Sequence, residues 1–190
     1  MTAGSVPGPQ QEPVELRRVR LTDSLVEPLL LGLAEEYGRR YGLSIGAGEM
    51  AAAPAQQFET PDGAFVVLLD DGRTVAGGGV RRLSSSTCEV KRMWTAPDRR
   101  RRGHATVVLR ALEEAARDLG YRRIRLVTGP AQPEAIALYG AHGYIRVPVL
   151  DSDWGAVAFE GDLGEPASTV TAACAPGLHR TRGDLPHPRR

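Results

Sequence analysis

Two periods of apolar residues alternate along this chain. Residues 14–19, VELRRV, switch between apolar and polar in the manner of a half-buried strand. Residues 24–42, SLVEPLLLGLAEEYGRRYG, carry helical apolar spacing, with Thr22 or Asp23 placed to cap and Pro28 placed to kink or delay the start. After the turn residues PDG at 61–63 comes AFVVLLD, an apolar run of strand length. DDG at 70–72 then leads into RTVAGGGVRRL (73–83), and two strands joined by a short Asp-Gly turn predict a hairpin. SSS at 84–86 is the next turn, and TCEVKRMWT (87–95) the next strand. The period then lengthens. Ala105, Val108, Leu109, Leu112, Ala115, Ala116 and Leu119 fall on one face of a helix, with Arg110, Glu113, Glu114 and Arg117 on the other and Gly120 at its end. YRRIRLVTG (121–129) predicts a strand and PEAIALYGAHG (133–143) a short helix with proline in its first turn. YIRVPVL and WGAVAFEGDL predict two closing strands. The order β-α-β-β-β-α-β-α-β-β predicts one α+β domain: a mixed, mostly antiparallel sheet of six to seven strands, with flanking helices and a βαβ segment in the middle.

Composition narrows this picture without redirecting it. A chain of 190 residues, 42% apolar and 25% charged, suits a single globular domain with a core of its own. The predicted domain spans 13–163. Residues 1–12, rich in Pro, Gly and Gln, and residues 164–190, without any sustained period, read as loose tails. The RGD at 182–184 reads as a chance match in such a tail. Cys88 and Cys174 are too few and too scattered for a disulfide framework, which points to a reducing compartment. No apolar run approaches the ~18 residues of a membrane span, and the N-terminus lacks the basic and apolar blocks of a secretion signal. A cytoplasmic location is expected. No Cys, His or Asp spacing fits a metal site.

Net charge is only +1, so basic character must be local, and it concentrates in Arg99-Arg100-Arg101-Arg102. Such a run is commonly a solvated face, or a nucleic-acid patch when aromatic platforms accompany it; none does here. Its position suggests a third use. A strand ends at Thr95, Ala96-Pro97-Asp98 turns, and a helix begins near Gly103. The first turn of a helix leaves backbone N–H groups unpaired and carries positive partial charge, which suits a phosphate or diphosphate. Gly103 and Ala105 keep the backbone accessible, and Arg100 and Arg102 flank it.

Arg100-Arg101-Arg102-Gly103-His104-Ala105 matches the (Q/R)-x-x-G-x-(G/A) signature of the GNAT superfamily of acyl-CoA-dependent N-acetyltransferases. The flanks agree. CEVKRMWTAPDRRRRGHA resembles that family's fourth strand and diphosphate loop, PEAIALYGAHGY its later helix, and FEGDL its closing strand, so the likeness covers roughly 14–163. Two departures stand out. Gln132 occupies a place where the family often has Asn, and Arg101 and His104 replace a glycine and an apolar residue. The resemblance implies a GNAT fold. It also implies acetyl transfer from acetyl-CoA, as co-substrate, to a primary amine on a small molecule or peptide N-terminus, by direct attack on the thioester and without metal, nucleic acid or membrane. The assembly is left open, with a homodimer among the options.

The same resemblance distributes roles. Glu89, six residues before Thr95, matches a strand position where some members hold a catalytic base, acting directly or through water. Tyr139 matches the tyrosine that faces the coenzyme sulfur; a phenol of ordinary pKa ~10 can protonate a departing thiolate of pKa ~8.5. Met93, Trp94 and Thr95 would meet the pantetheine arm through their backbone at a bulge. Arg100, Arg101, Arg102, Gly103, His104, Ala105 and Thr106 would hold the diphosphate, and Gln132 would lie near the acyl-CoA. Glu35, Glu36, Tyr37 and Tyr41 end the first helix, which in the resembled family often borders the acceptor pocket and whose acidic groups would suit a cationic amine; a solvated face is the preferred expectation. His142 is expected at the surface. Gly77-Gly78-Gly79 imitate a nucleotide loop but lie inside a strand pattern, which points to a bulge or a close approach. Two other uses compete: a non-catalytic acyl-CoA-binding regulatory module, and an arginine-driven nucleic-acid binder.

Overall fold

The computed structural model describes residues 14–42, 53–149, 152 and 154–164. The expected tails, with Cys174 and the RGD, lie outside the described residues apart from Gly164. The strands are β1 (Glu15–Val19), β2 (Ala64–Asp70), β3 (Arg73–Arg82), β4 (Thr87–Thr95), β5 (Arg123–Thr128), β6 (Ile145–Val147) and β7 (Val157–Asp162). The helices are α1 (Glu27–Tyr41), α2 (His104–Asp118) and α3 (Pro133–Ala141), and they fall in the expected order.

All seven strands form one sheet in the order β1-β2-β3-β4-β5-β7-β6. Only β4 and β5 run parallel; the other pairs are antiparallel. This is the mixed, mostly antiparallel open sheet that the resemblance implies. A sheet covered by helices on both faces needs strands apolar on both sides, and β2 supplies one. Its Val66 and Leu68 point into one core with Val108, Leu109, Leu112 and Ala116 of α2. Its Phe65, Val67 and Leu69 point into a second core with Leu29 and Leu33 of α1 and with Phe58. Full burial of such side chains contributes about 1.5–3 kcal/mol each, so the two layers are independently substantial.

The element ends differ from the sequence pattern for local reasons. Asp23, not Thr22, caps the first helical stretch: its Oδ1 accepts from the Leu25 amide at 2.9 Å, opening a 3-10 turn over Ser24–Val26. Pro28 then sits in the first turn of α1, where its missing N–H costs nothing, and the helix is delayed rather than kinked. The two closing strands are shorter than their apolar runs, since Pro148 lacks a ladder donor and Gly155 turns with φ +74°.

Two features of β4 open the sheet. Gly77 pairs with Trp94 and Gly79 with Lys91, so Gly78 faces two residues, Arg92 and Met93. This is a β-bulge, and Arg92 takes φ +60° at it. The three glycines are therefore strand residues. A Cβ at Gly78 would come within 2.9 Å of Met93 Sδ, and one at Gly77 within 2.6 Å of Leu29 Cδ1, so the close approach is by the protein's own side chains. Beyond Val90, β4 has no β5 partner, because the parallel register ends at Val90 and Leu126. The two strands part there.

Candidate active site

A cavity of about 770 Å³ occupies the parting of β4 and β5. Val90, Met93 and Thr95 line it from β4, Val127 and Thr128 from β5, and Gly103, His104, Ala105 and Thr106 from the start of α2. Ala135, Leu138 and Tyr139 of α3 form its far wall, and Glu36, Tyr37 and Arg40 of α1 close a side.

The mouth of α2 is built to face an anion. Gly103 caps the helix with φ +82°, and Arg101 two residues earlier has φ +61°. Left-handed residues separated by one position turn successive amides toward a common point. No side chain caps the helix and no acidic residue sits in its first turn, so the positive end of the dipole is uncompensated. A Cβ at Gly103 would meet nothing within 4 Å; the position needs glycine for its backbone conformation.

The arginine run divides. Arg99 pairs with Asp70 and, at 3.5 Å, with Asp98. Arg100 donates to the Thr95 carbonyl at 3.2 Å and to Glu36 Oε2 at 2.6 Å, and it lines the cavity. Arg101 lines the cavity too. Arg102 is exposed and outside the lining. His104 is buried as the first residue of α2.

Tyr139 reaches the cavity from α3, its ring held edge-on against Phe159 at 5.7 Å and Tyr144 at 6.2 Å. Burial, with a smaller push from Tyr37, raises its phenol pKa well above the ordinary value, so it stays protonated across the neutral range. Gln132 caps α3, and its Oε1 accepts from Thr128 Oγ1 (3.0 Å), the Gly129 amide (3.3 Å) and Tyr41 OH (3.4 Å), which fixes the β5–α3 turn at the cavity edge. His142, half-buried, bonds through Nδ1 to the Leu138 carbonyl at 2.8 Å and has no place in the lining.

Of the residues singled out in the sequence, Met93, Trp94, Thr95, Arg100, Arg101, Gly103, His104, Ala105, Thr106, Gln132 and Tyr139 meet around this one cavity. Glu89 and Arg102 do not line it. The Glu89 carboxylate is buried and held by Arg81 at 2.7 and 2.9 Å, with Lys91 at 3.7 Å. The solvated face expected for the end of α1 holds for Glu35 but not for Glu36. Glu36 is only 6% exposed because Arg40 and Arg100 converge on it. Tyr37, named at the end of the first helix, lines the cavity, and Arg40 and Glu134 are cavity residues that the sequence pattern did not single out. The i,i+4 pair Glu36/Arg40 was the available signal. At Glu134, burial works to raise the carboxyl pKa, but the hydrogen bond and charge of Arg40 outweigh it and hold the group below its ordinary value.

Among the described residues no group of three or more His, Cys, Asp or Glu side chains is arranged to hold a metal, and no helix is long and apolar enough to cross a membrane.

Comparison with known proteins agrees with this geometry. A sequence model of the acetyltransferase (GNAT) family matches residues 30–144, a span that contains every residue lining the cavity. The uncharacterized N-acetyltransferase YjgM of Escherichia coli K12 is 32% identical over 145 residues, covering 72% of this chain and 84% of its own. A Klebsiella pneumoniae protein assigned to the acyl-CoA N-acyltransferases superposes with a TM-score of 0.64 at 25% identity, over 79% of this chain and 97% of its own. The PaiA N-acetyltransferase of Thermoplasma acidophilum, solved in complex with coenzyme A, shares the fold with a TM-score of 0.57 at 15% identity, over 79% of this chain and 99% of its own. The chain belongs to the acetyltransferase (GNAT) family as an acyltransferase.

Proposed function

We propose that this enzyme transfers an acetyl group from acetyl-CoA to the primary amine of an acceptor, by direct attack of the amine on the thioester. The observation that carries the proposal is the uncapped start of α2, with left-handed Arg101 and Gly103, opening on a cavity that leads between β4 and β5 to Tyr139. The amides of Gly103 to Thr106 suit the diphosphate, with Arg101 as an added cation. Arg102 reaches the phosphates only from outside the cavity. The strand edge at Met93–Thr95, freed of a β5 partner, suits the pantetheine amides and thioester carbonyl.

The proton balance assigns two roles. The acceptor ammonium must lose a proton before it attacks, and the departing thiolate must gain one. Tyr139, neutral and on the cavity wall, is the donor to sulfur. Glu89 is the base in this reading. Because its carboxylate is bound by Arg81 and lies behind the lining, it accepts through a water beside the β4 bulge rather than by direct contact.

The test is thiol release from acetyl-CoA across a panel of amino acids, polyamines, aminoglycosides and peptide N-termini, with mass spectrometry of the products and calorimetric titration of coenzyme A. Binding with amine-dependent turnover is expected. Tight binding with no turnover on any amine would indicate a non-catalytic acyl-CoA module, and absence of binding would overturn both. Steeply salt-dependent retention on DNA or RNA would instead favour the arginine-driven reading.

A further inference from the structure

Glu36 is a buried charge among the described residues that the acetyl-transfer reading leaves without a role. Its side chain is 8% exposed, it sits mid-helix on α1, and two guanidinium groups close on it: Arg100 Nη2 at 2.6 Å and Arg40 Nη2 at 2.7 Å. The two arginines come from different parts of the fold. Arg100 belongs to the loop that opens α2 and also holds the Thr95 carbonyl at the freed end of β4. Arg40 continues past Glu36 to the Ala131 carbonyl and to Glu134, at the start of the helix that carries Tyr139. The chain Arg100–Glu36–Arg40–Glu134 therefore spans the parting of β4 and β5, and every member lines the cavity.

The members are not equally replaceable. Without the Glu36 charge, Arg40 keeps Glu134 and the Ala131 carbonyl. Arg100 keeps only neutral acceptors, the Thr95 carbonyl at 3.2 Å and, in a glutamine variant, the side-chain amide oxygen at position 36. A guanidinium on a long side chain with only weak neutral partners samples more rotamers, and holding it ready for an anion then costs entropy at each binding event.

We infer that Glu36 is a positioning residue for the acyl donor: it holds Arg100 at the diphosphate side of the cavity while tying that loop, through Arg40, to the start of α3. The inference rests on the acetyl-CoA reading above and deepens it. Glu36 acts in this reading on the donor rather than on the amine. Its effect runs through Arg100 and is confined to donors that carry a diphosphate.

The experiment compares acetyl-CoA with acetyl-pantetheine, which has the thioester and the arm but no diphosphate. For Glu36→Gln the KM for acetyl-CoA is expected to rise roughly tenfold, the loss of one charge-assisted hydrogen bond, with kcat within about twofold. Turnover of acetyl-pantetheine is expected to stay within about twofold of wild type. In an Arg100→Gln background, Glu36→Gln is expected to add nothing, since coupled residues are non-additive. Equal losses with both donors, or a Glu36→Gln effect that persists without Arg100, would overturn the inference. Arg100→Gln alone changes a partly exposed loop side chain that also bonds the Thr95 carbonyl, and its expected signature is a KM rise clearly larger for acetyl-CoA than for acetyl-pantetheine; it covers the case in which Glu36→Gln does not fold. Failure of wild type to bind coenzyme A in calorimetry would sink the acetyl-CoA reading itself, a result distinct from wild-type binding with no change in the variants.

Discussion

Gly32 offers a test in which two well-known effects oppose each other. It lies inside α1, where replacing glycine by alanine ordinarily stabilises by about 0.5–1 kcal/mol. Here a Cβ would stand 2.5 Å from Trp94 Nε1, 2.6 Å from Cε2 and 2.7 Å from Cζ2. Non-bonded carbons settle at about 3.5–4.0 Å, so helix and ring must separate by about 1 Å. Neither has an easy retreat. Trp94 is fixed by its strand pairing with Gly77, and Leu29, one turn earlier on α1, already rests on Gly77. Overpacking of this kind costs about 1–3 kcal/mol, and a rigid ring places it in the upper half. Gly32→Ala is therefore expected to destabilise by about 1–2 kcal/mol net, a fall in Tm of roughly 3–6 °C for a chain of this size. Because Trp94 lines the cavity, the KM for acetyl-CoA should rise as well. Thermal melts followed by circular dichroism give the first number and steady-state kinetics the second. A companion Trp94→Phe, with a smaller ring, should recover part of the loss in the double variant. A higher Tm for Gly32→Ala would refute the reasoning, since helix propensity would then outweigh the contact.

Tyr139→Phe keeps the ring that packs on Phe159 and Tyr144 and removes the hydroxyl, so Tm should move little while kcat falls by about 10² or more; an unchanged kcat in thiol-release assays would remove Tyr139 from the acid role. Glu89→Gln leaves the Arg81 guanidinium with neutral amide oxygens alone, the introduced one and that of Gln57 at 2.7 Å, and should cost about 2–3 kcal/mol in urea denaturation as well as activity; full stability would mean that the buried pair is neutral for folding. Burial pushes the Cys88 thiol from 9.0 up to about 12 and raises Tyr139 and Tyr144 in the same direction. These groups bind their protons more tightly folded than unfolded, so their contribution is complete below pH 9 and declines as pH rises from 9 toward 12. Urea midpoints should therefore fall over that window, with Cys88→Ala flattening the decline; a midpoint independent of pH would contradict it.

The order of elements was legible in the chain because each rests on short-range physics. Period-2 runs, a period-3.6 run ending at Gly120, and Asp-Gly turns need no knowledge of distant partners. The open start of α2 was legible for the same reason, being a strand end, a turn and a helix start within a dozen residues. What escaped depends on partners far along the chain. Glu36, flanked by Glu35, Arg39 and Arg40, has the local look of a solvated helix face; the residue that buries it, Arg100, is 64 positions away. The pairing of Glu89 escaped for a nearer reason: Arg81 is only eight positions away, but the β3–β4 hairpin register that sets the two opposite each other is not written in the alternation of either strand. The 3-10 turn over Ala55–Phe58, which delivers Phe58 to the second core, carries no periodic signal in four residues.

The arginine run shows why charge counting alone misjudges such a segment. Four adjacent cations suggest a continuous basic stripe, which requires their side chains to share a direction. The backbone forbids it. Left-handed geometry at Arg101 and Gly103 reverses the chain locally, and the four side chains part: Arg99 pairs with Asp70 and Asp98, and Arg100 is held against Glu36 in the cavity lining. Arg101 lines the cavity beside it, and Arg102 stays outside. The anion-facing surface is then mostly main chain: amides at a helix start whose dipole no acidic residue opposes. Side-chain cations add attraction and steering, while the amides set position, since they cannot swing away. A segment of this kind tolerates exchange at Arg102 far better than at Gly103, although arginine carries the charge and glycine carries none.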